Sequence, residues 1–380
     1  MRRVRAPLAG GARVSRGPLR LLRHSGPIEP YPLEPSDAEL AAEAGVVVEA
    51  IVRFDMNTLG GGPLPGVVAA WRGWDPAEVV EYGDLGYARL RAAIAEVIGV
   101  APHRIIPGAG ADELIRLVTT SVAGPGDIVV VPTPTFPMFA IEAGLAGARV
   151  APVPRVHPSR RQQVSELREA AAVATLVWTC SPNNPTGDAM PIEEIRALAV
   201  GLEAIVVVDQ VYLEFAEAAG VTDADAIPLL DDLDNVIVLR SLAKAYGLAG
   251  ARLGYLVVPD ALAERFDALR LPLSVSAATE VLALGALGDP AASGERLAAI
   301  MSERRRLAEA VAALGCEVLD GVANFVTFRP PDAMQLAQAL LARGLVLRTY
   351  GAGPMSGWLR ATARAADENA RLIAALNELL

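Results

Sequence analysis

Short apolar runs alternate with helix-like segments along much of this chain of 380 residues. The strand-like runs cover residues 127–131, 175–179, 205–208, 236–239 and 253–258. Most of them are apolar at nearly every position, which is typical of parallel strands covered on both faces. Helix-like segments at 87–98 and 112–122 precede the first run, the segment 191–202 lies between two runs, and the segment 261–271 follows the last run. This order predicts an α/β fold with a mostly parallel sheet and helices on both faces.

The chain changes character near residue 274. Long segments rich in Ala, Leu, Arg and Glu at 274–288 and 291–314 precede several short strand-like runs and a last helix after Asp367. This pattern predicts a smaller α+β domain at 274–380, after a large domain at 61–273 and an N-terminal arm at 31–60. Residues 1–30 are expected to be a disordered, arginine-rich extension, with a targeting peptide or a nucleic-acid arm as the alternatives.

The charge distribution argues against nucleic acid as the main partner. Lys and Arg number 34 against 44 Asp and Glu, and seven of the arginines fall within the first 26 residues. The rest of the chain therefore has 27 basic against 44 acidic residues, a net charge of −17. Such a body repels phosphate backbones. The longest uncharged apolar runs are far shorter than the roughly 20 residues of a membrane helix, so no membrane partner is expected.

Cysteine and histidine are too few and too scattered to suggest a metal centre. The two cysteines, Cys180 and Cys316, form no CxxC pair, and the three histidines have no metal-ligand spacing. We therefore expect no metal, no disulfide scaffold and a cytoplasmic setting.

A single lysine, Lys244, stands among 33 arginines. Arginine serves as well as lysine in surface ion pairs, but its guanidinium stays protonated and does not form an imine with an aldehyde. The bias therefore indicates that position 244 needs a primary amine. The alternative is a lysine retained by chance at an arbitrary surface position.

Two loop segments could hold an anion or a ring substituent. Residues 107–113 form a glycine turn that enters a helix, where free N–H groups and the helix dipole favour a phosphate. Residues 181–187, Ser-Pro-Asn-Asn-Pro-Thr-Gly, form a proline-fixed loop with side-chain amides. An ordinary capped turn would explain either segment taken alone.

Two further segments follow strand-like runs directly. Asp209 comes at the end of one run, where an acid would lie near the ligand crevice of a parallel sheet or simply cap a helix. Residues 240–247 and Arg252 bring a hydroxyl, an amine and a guanidinium into one stretch. Together these groups suit a phosphorylated aldehyde, with Ser241 and Arg252 at the phosphate and Lys244 at the carbonyl.

The order and spacing of the four segments resemble the fold-type I pyridoxal-phosphate enzymes of the class I/II aminotransferase family, over roughly residues 50–380. Within that family the resemblance is greatest to the histidinol-phosphate aminotransferase branch. It implies an aspartate-aminotransferase-like fold with a seven-stranded sheet and pyridoxal 5'-phosphate as cofactor. It also implies a small-molecule amino donor, a 2-oxo acid acceptor and a homodimer with shared active sites.

The resemblance assigns cofactor roles residue by residue. Lys244 matches the Schiff-base lysine, and Asp209 matches the acid that keeps the pyridine nitrogen protonated. Asn184 and Tyr212 match the pair at the ring oxygen, and Phe136 stands where the family stacks a tyrosine on the ring. The phosphate ligands implied by the same motifs are Gly110, Ala111, Asp112, Ser241, Arg252 and, from the neighbouring subunit, Tyr82.

The resemblance also assigns the substrate side. Arg360 matches the arginine that holds the α-carboxylate, Arg348 one that holds the distal end, and Asn57 a substrate-side asparagine. Thr58 and Leu59 replace the acidic and amide residues expected there, and Ala243 replaces a hydroxyl residue near the phosphate. The segments at 238–242, 252–257 and 273–275 share features with the threonine-phosphate decarboxylases, so a threonine-phosphate-decarboxylase-like lyase is the alternative. A non-catalytic, cofactor-binding sensor on the same fold is a further one.

Overall fold

The computed structural model describes Tyr31 and residues 33–380, so the predicted extension at 1–30 lies outside the described residues. The helices are α1 Asp37–Ala44, α2 Pro65–Gly73, α3 Ala88–Ile98, α4 Ala111–Val122, α5 Met138–Leu145, α6 Val164–Ala171, α7 Ile192–Ala199, α8 Leu213–Ala218, α9 Asp260–Leu269, α10 Ala277–Leu287, α11 Pro290–Ala313, α12 Ala333–Leu341 and α13 Ala366–Leu379. The strands are β1 Val52–Arg53, β2 Ile105–Gly108, β3 Ile128–Thr133, β4 Arg149–Pro154, β5 Leu176–Cys180, β6 Ile205–Asp209, β7 Val236–Ser241, β8 Gly254–Val257, β9 Glu317–Val318, β10 Phe325–Arg329, β11 Leu345–Val346, β12 Arg348–Thr349 and β13 Leu359–Thr362.

The large sheet has seven strands in the order β2-β8-β7-β6-β5-β3-β4. Neighbours from β7 through β6, β5 and β3 to β4 pair in parallel, whereas β8 is antiparallel to both β7 and β2. The predicted α/β class and seven-stranded, mostly parallel sheet are therefore confirmed. The order places β4 and β5 on opposite sides of β3, so the chain reverses direction across the sheet between β3 and β5. Ligands bind at such a switch point, beyond the carboxyl ends of the strands.

Alternate residues of the central strands serve two different cores. Val206 and Val208 of β6 pack in a cluster on one face, and Val207 packs in a second cluster on the other face. Both faces are covered, which is why the sequence of these strands reads as continuously apolar.

The C-terminal part builds a smaller antiparallel sheet in the order β12-β13-β10-β9. A third core cluster lies there, with Phe328, Leu359 and Leu372 among its fully buried residues. The N-terminal chain joins this part, because β1 pairs with β11 and Phe54 packs in the same cluster. The second lobe therefore includes β1 from the N-terminal part of the chain as well as α13 at its C-terminus.

Helix α10 packs in a core cluster that also contains residues of the large sheet. Its residues Ala283 and Ala286 belong to the same cluster as Val67 of α2 and Leu90 of α3. The predicted boundary near residue 274 falls just before this helix. The division into an arm, a large and a small domain stays a prediction.

Two strands of the large sheet were not predicted from the sequence. Strand β4 contains Pro152 and Pro154, and strand β2 ends in Pro107 and Gly108. Both lie at the edges of the sheet, where proline costs no ladder hydrogen bond on the free side. Proline hides such edge strands from a reading based on apolar runs.

Candidate active site

A cavity of about 770 Å³ opens at the carboxyl edge of the large sheet. Its walls come from the ends of β5, β6 and β7, from the loop after β3, and from the second lobe. Residues from all four motif segments line it. The lining residues that the sequence predicted are Asn57, Ala111, Asp112, Phe136, Asn184, Asp209, Tyr212, Ser241, Lys244, Arg252, Arg348 and Arg360.

Asp209 ends β6 and is buried at the floor of the cavity. Its Oδ1 accepts a 3.1 Å hydrogen bond from Val211 N–H. Burial raises the pKa of the carboxyl to about 7, while the Val211 N–H opposes this shift. The pKa would fall again if a cation were placed against this carboxylate.

Lys244 lies in the turn after β7, and its Nζ donates a 3.3 Å hydrogen bond to the Met56 carbonyl. The same atom is 5.9 Å from the centre of the Tyr212 ring. Burial lowers the pKa of the amine to about 8, and the positive charge of Arg360 adds to the effect. A substantial fraction of this lysine is therefore uncharged, and available as a nucleophile or base, near pH 8.

Tyr212 and Asn57 meet across the cavity. Asn57 Nδ2 donates a 2.9 Å hydrogen bond to the Tyr212 hydroxyl, and both side chains are buried. Asn57 has a left-handed backbone, with φ of 54°, and Thr362 and Asn324 bond to its oxygens. Burial raises the pKa of Tyr212 well above its usual value, so this phenol stays protonated and can donate.

Arg360 of β13 reaches into the cavity from the second lobe. Its Nη1 donates a 2.5 Å hydrogen bond to Asn184 Oδ1, and its Nη2 bonds to the carbonyl oxygen of Asp55. Its Nε is buried with no hydrogen-bond partner among the described residues. Two hydrogen bonds thus fix the guanidinium in the cavity wall, where a planar carboxylate can bind it.

A second group of predicted residues forms a cradle at the N-terminus of α4. Gly110 has φ of 89°, and a Cβ there would lie 2.6 Å from Arg252 Nη2, so the two can approach only because position 110 is glycine. Arg252, itself in the left-handed region with φ of 57°, pairs with Asp112 at 3.0 Å. Ser241 lines the same cavity as Arg252 and Asp112. Its Oγ donates a hydrogen bond to the Leu253 carbonyl and accepts one from the Ala243 N–H. The cradle offers a helix N-terminus, a guanidinium and a hydroxyl to an anion.

The mouth of the cavity has contacts that the sequence did not predict. The Phe136 ring meets the Tyr31 ring edge-on at 6.4 Å between centroids. Arg348 forms an ion pair with Glu34. Tyr31 and Glu34 precede α1 in an irregular segment without periodicity, so no sequence signal marked them.

Tyr82 is the predicted site residue that lies apart from the others. Its side chain is 86% exposed, and it does not line the cavity of its own chain. Val79, Val80 and Leu85 beside it are also largely exposed. A single chain therefore does not bring Tyr82 to the site.

The described residues contain no group of three or more His, Cys, Asp or Glu side chains arranged to hold a metal ion. Cys180 and Cys316 are both buried free thiols. In the same part of the chain, every helix is too short or too polar to cross a membrane.

Comparison with known proteins agrees with this geometry. A sequence profile described as "Aminotransferase class I and II" matches residues 50–378. The chain is 34% identical to a histidinol-phosphate aminotransferase from Roseiflexus castenholzii over 93% of this chain and 96% of that protein. Its fold superposes with a TM-score of 0.83 on the histidinol-phosphate aminotransferase of Sinorhizobium meliloti solved with pyridoxal-5'-phosphate, at 28% identity and 98% coverage of both chains. A Thermus thermophilus aspartate aminotransferase mutant, at 21% identity and a TM-score of 0.73, shares the fold.

The fold and the cavity thus define an enzyme of the aminotransferase type, and the chain belongs to the class I and class II aminotransferases. Within that family its similarity is to the histidinol-phosphate aminotransferase branch. The family and the enzyme class predicted from the motifs, and the aspartate-aminotransferase-like fold, are confirmed.

Proposed function

We propose that this protein is a pyridoxal-phosphate-dependent aminotransferase that moves an amino group from an amino acid or an amino-alcohol phosphate, such as histidinol phosphate, to a 2-oxo acid. The observation that carries the proposal is the position of Lys244. The only lysine of the chain has its amine inside the cavity, in the same cavity as Asp209 and with its pKa lowered to about 8.

The residues of the cavity fit the cofactor on features of this structure. The absence of a Cβ at Gly110 leaves a cradle against Arg252, beside the start of α4 and Ser241. Asp209 is a buried carboxyl that lines the cavity, and burial raises its pKa to about 7 although the charge of Lys244 acts in the opposite direction. A cationic group bound against it would stabilise its ionised form. We assign Gly110, Ala111, Asp112, Ser241 and Arg252 to the phosphate, and Asn184, Tyr212 and Phe136 to the ring. When bound, pyridoxal phosphate supplies an electron sink for negative charge that develops at the substrate Cα.

Lys244 acts as the covalent anchor and then as the base. Its amine takes the proton from the substrate Cα and returns a proton during transfer, which needs an uncharged amine near neutral pH. The lowered pKa of Lys244 supports this role because it brings the amine close to the working range of a general base.

Asp209 is assigned to the ring nitrogen. In its ionised form it would hold a proton on that nitrogen and so keep the charge that the sink needs. Burial excludes water from this pair and strengthens it. Tyr212, kept protonated and oriented by Asn57, is a hydrogen-bond donor at the ring.

Arg360 is assigned to the α-carboxylate of amino-acid substrates and Arg348 to the distal group. The position of the Arg360 guanidinium in the cavity wall, fixed by Asn184 and the Asp55 carbonyl, supports the first assignment. Asn57, through its bond to Tyr212, connects the substrate side to the ring side.

We further propose that the active unit is a homodimer with shared sites, in the cytoplasm. Tyr82 supports this, because it is exposed in its own chain among exposed apolar neighbours, as a residue buried only on association would be. Its hydroxyl is then available to the phosphate bound by the neighbouring subunit.

Product analysis tests the reaction. A gel-filtered sample supplied with pyridoxal phosphate is incubated with 2-oxoglutarate and with histidinol phosphate or a panel of amino acids that includes phosphorylated ones. Formation of glutamate, absent in Lys244→Ala, supports transamination. Carbon dioxide from a phosphorylated amino acid would instead assign a decarboxylase, and neither product over the panel would favour the cofactor-binding sensor.

A further inference from the structure

The distal arginine of the cavity already has an internal partner. Arg348 forms an ion pair with Glu34, and both side chains line the cavity with only 22% and 25% of their surface exposed. Glu34 is the one carboxylate with which Arg348 pairs among the described residues. The group assigned to bind the substrate's distal anion is therefore occupied by an anion of the same chain.

The position of Glu34 is fixed by its neighbours. We call residues 33–36 the mouth segment. The Pro35 carbonyl accepts a 2.9 Å hydrogen bond from Arg53 Nη1, and Arg53 also pairs with Asp37 at 2.9 Å and with Asp55 at 2.7 Å. Asp55 in turn lines the cavity, and its carbonyl accepts a hydrogen bond from Arg360. Hydrogen bonds and ion pairs thus connect the mouth segment to the substrate side of the site.

Ser36 fixes the C-terminal end of the mouth segment. Its side chain caps α1, and Glu39 reaches back to its N–H in a capping box. The contacts of Pro35 and Ser36 both follow Glu34 directly, so they fix the backbone on its C-terminal side, where its carboxylate pairs with Arg348.

We propose that Glu34 is a specificity-determining residue that competes with the distal anionic group of the substrate for Arg348. The proposal rests on the proposed function, which brings that group to Arg348. A ligand gains the guanidinium only if it displaces Glu34, so each anion is bound more weakly than Arg348 alone would bind it. Neutral or weakly anionic distal groups do not displace Glu34 from Arg348. A strongly anionic group, such as a phosphate, gains enough from the guanidinium to open it.

The test uses inorganic phosphate as the probe. Phosphate affinity is measured by titration calorimetry near pH 7.5 on the cofactor-loaded chain, its Glu34→Gln variant and a Glu43→Gln control, which removes the same charge from the exposed side of α1. Glu34→Gln is expected to tighten phosphate binding by about three- to tenfold, in the range of a partly exposed ion pair, and Glu43→Gln to leave it unchanged. The KM for the substrate with a distal anion should fall by a similar factor at nearly constant kcat.

Arg348→Gln completes the cycle. In that background Glu34→Gln should have no effect on phosphate binding, because the group for which the two anions compete is gone. Equal or weaker phosphate binding in Glu34→Gln, no Arg348-dependent binding at all, or the same gain in the Arg348→Gln background would overturn the proposal. Loss of amino transfer with this coupling intact would count against the proposed function alone. Glu34→Ala provides a second variant with the same expected direction.

Discussion

Arg360 Nη1 donates a 2.5 Å hydrogen bond to Asn184 Oδ1, across 176 positions of sequence. This contact joins β13 of the second lobe to the loop that follows β5 of the large sheet. The residue assigned to the substrate carboxylate is thereby oriented by a residue assigned to the cofactor ring. Such a held guanidinium loses little entropy on binding a planar carboxylate.

Arg360→Lys should therefore impair substrate binding more than its unchanged charge suggests. A lysine cannot bond Asn184, Asp55 and a carboxylate in one plane, so we expect KM for the amino acid to rise by about 30- to 150-fold, or about 2 to 3 kcal/mol. Steady-state kinetics with a saturating second substrate measures it. Arg343→Lys, an exposed change outside the cavity, serves as control. A rise of less than threefold would contradict the carboxylate assignment.

Lys244→Arg should abolish turnover without unfolding the chain. The positive charge is retained, but a guanidinium neither joins an aldehyde nor takes up a proton from carbon. Borohydride reduction of the loaded wild-type protein, followed by peptide mapping, should place a pyridoxyl group on the peptide that contains residue 244. The variant should show no adduct and a thermal transition close to that of the wild type. Adduct formation elsewhere in the wild-type chain would refute the assignment.

The lowered pKa of Lys244 predicts the pH dependence of its reactivity. Burial disfavours the charged amine, so in the cofactor-free protein the neutral form predominates above about pH 8 rather than above the ordinary lysine range. Acylation of residue 244, followed by mass spectrometry from pH 6 to 11, should give a rate that rises with a midpoint near pH 8. The chain has no other lysine to confuse the peptide assignment. A midpoint near 10.5 would show that the amine is not desolvated in solution.

Asp209→Asn should separate catalysis from stability. It removes the charge assigned to the ring nitrogen, so kcat should fall by about a thousandfold. The pKa of this carboxyl is raised to about 7 by burial, so the folded protein holds its proton more tightly than the unfolded chain does between pH 4 and 7. The stability contributed by the protonated form is lost as pH rises through 7, and ionised Asp209 then destabilises the cofactor-free fold.

The cofactor-free Asp209→Asn protein should accordingly melt a few degrees above the wild type at pH 8 and near it at pH 4. Calorimetry at the two pH values measures the difference. Asp260→Asn, an exposed aspartate outside the cavity, is the matched control. A fall in kcat of less than tenfold would reduce Asp209 to an ordinary strand-end acid.

The residues at the centre of the site could be predicted from the sequence, whereas those at the mouth of the cavity could not. Asp209, Lys244 and Ser241 follow strands whose apolar runs are unmistakable, and parallel strands bring their carboxyl ends to one edge. Glu34 and Tyr31 lie in an irregular segment, and their contacts with Arg348 and Phe136 depend on tertiary placement that no local pattern encodes.

The edge of the sheet shows the same limit. The central strands were visible because burial on both faces demands apolar residues throughout. Strands β2 and β4 were not, because edge positions accept the prolines that normally mark loops. At these two positions the local sequence indicates a loop, and pairing with the neighbouring strand produces a β-strand instead.

Complementation between two inactive variants tests the proposed shared site. Tyr82 is 86% exposed and does not line its own cavity, so a role at the phosphate requires the neighbouring subunit. Chains with Lys244→Ala are mixed with chains with Tyr82→Ala and allowed to exchange, after Tyr82→Ala alone is shown to be nearly inactive. A mixed dimer then has one site with both the lysine and the tyrosine intact and one site that lacks both.

Activity should return toward half of the wild-type value per mixed dimer, and mass analysis should follow the exchange. Tyr82→Phe should weaken cofactor retention by about 1.5 to 3 kcal/mol, as one charge-assisted hydrogen bond would. Exchange without recovered activity, or an active enzyme that sediments as a monomer, would confine Tyr82 to the surface of its own chain.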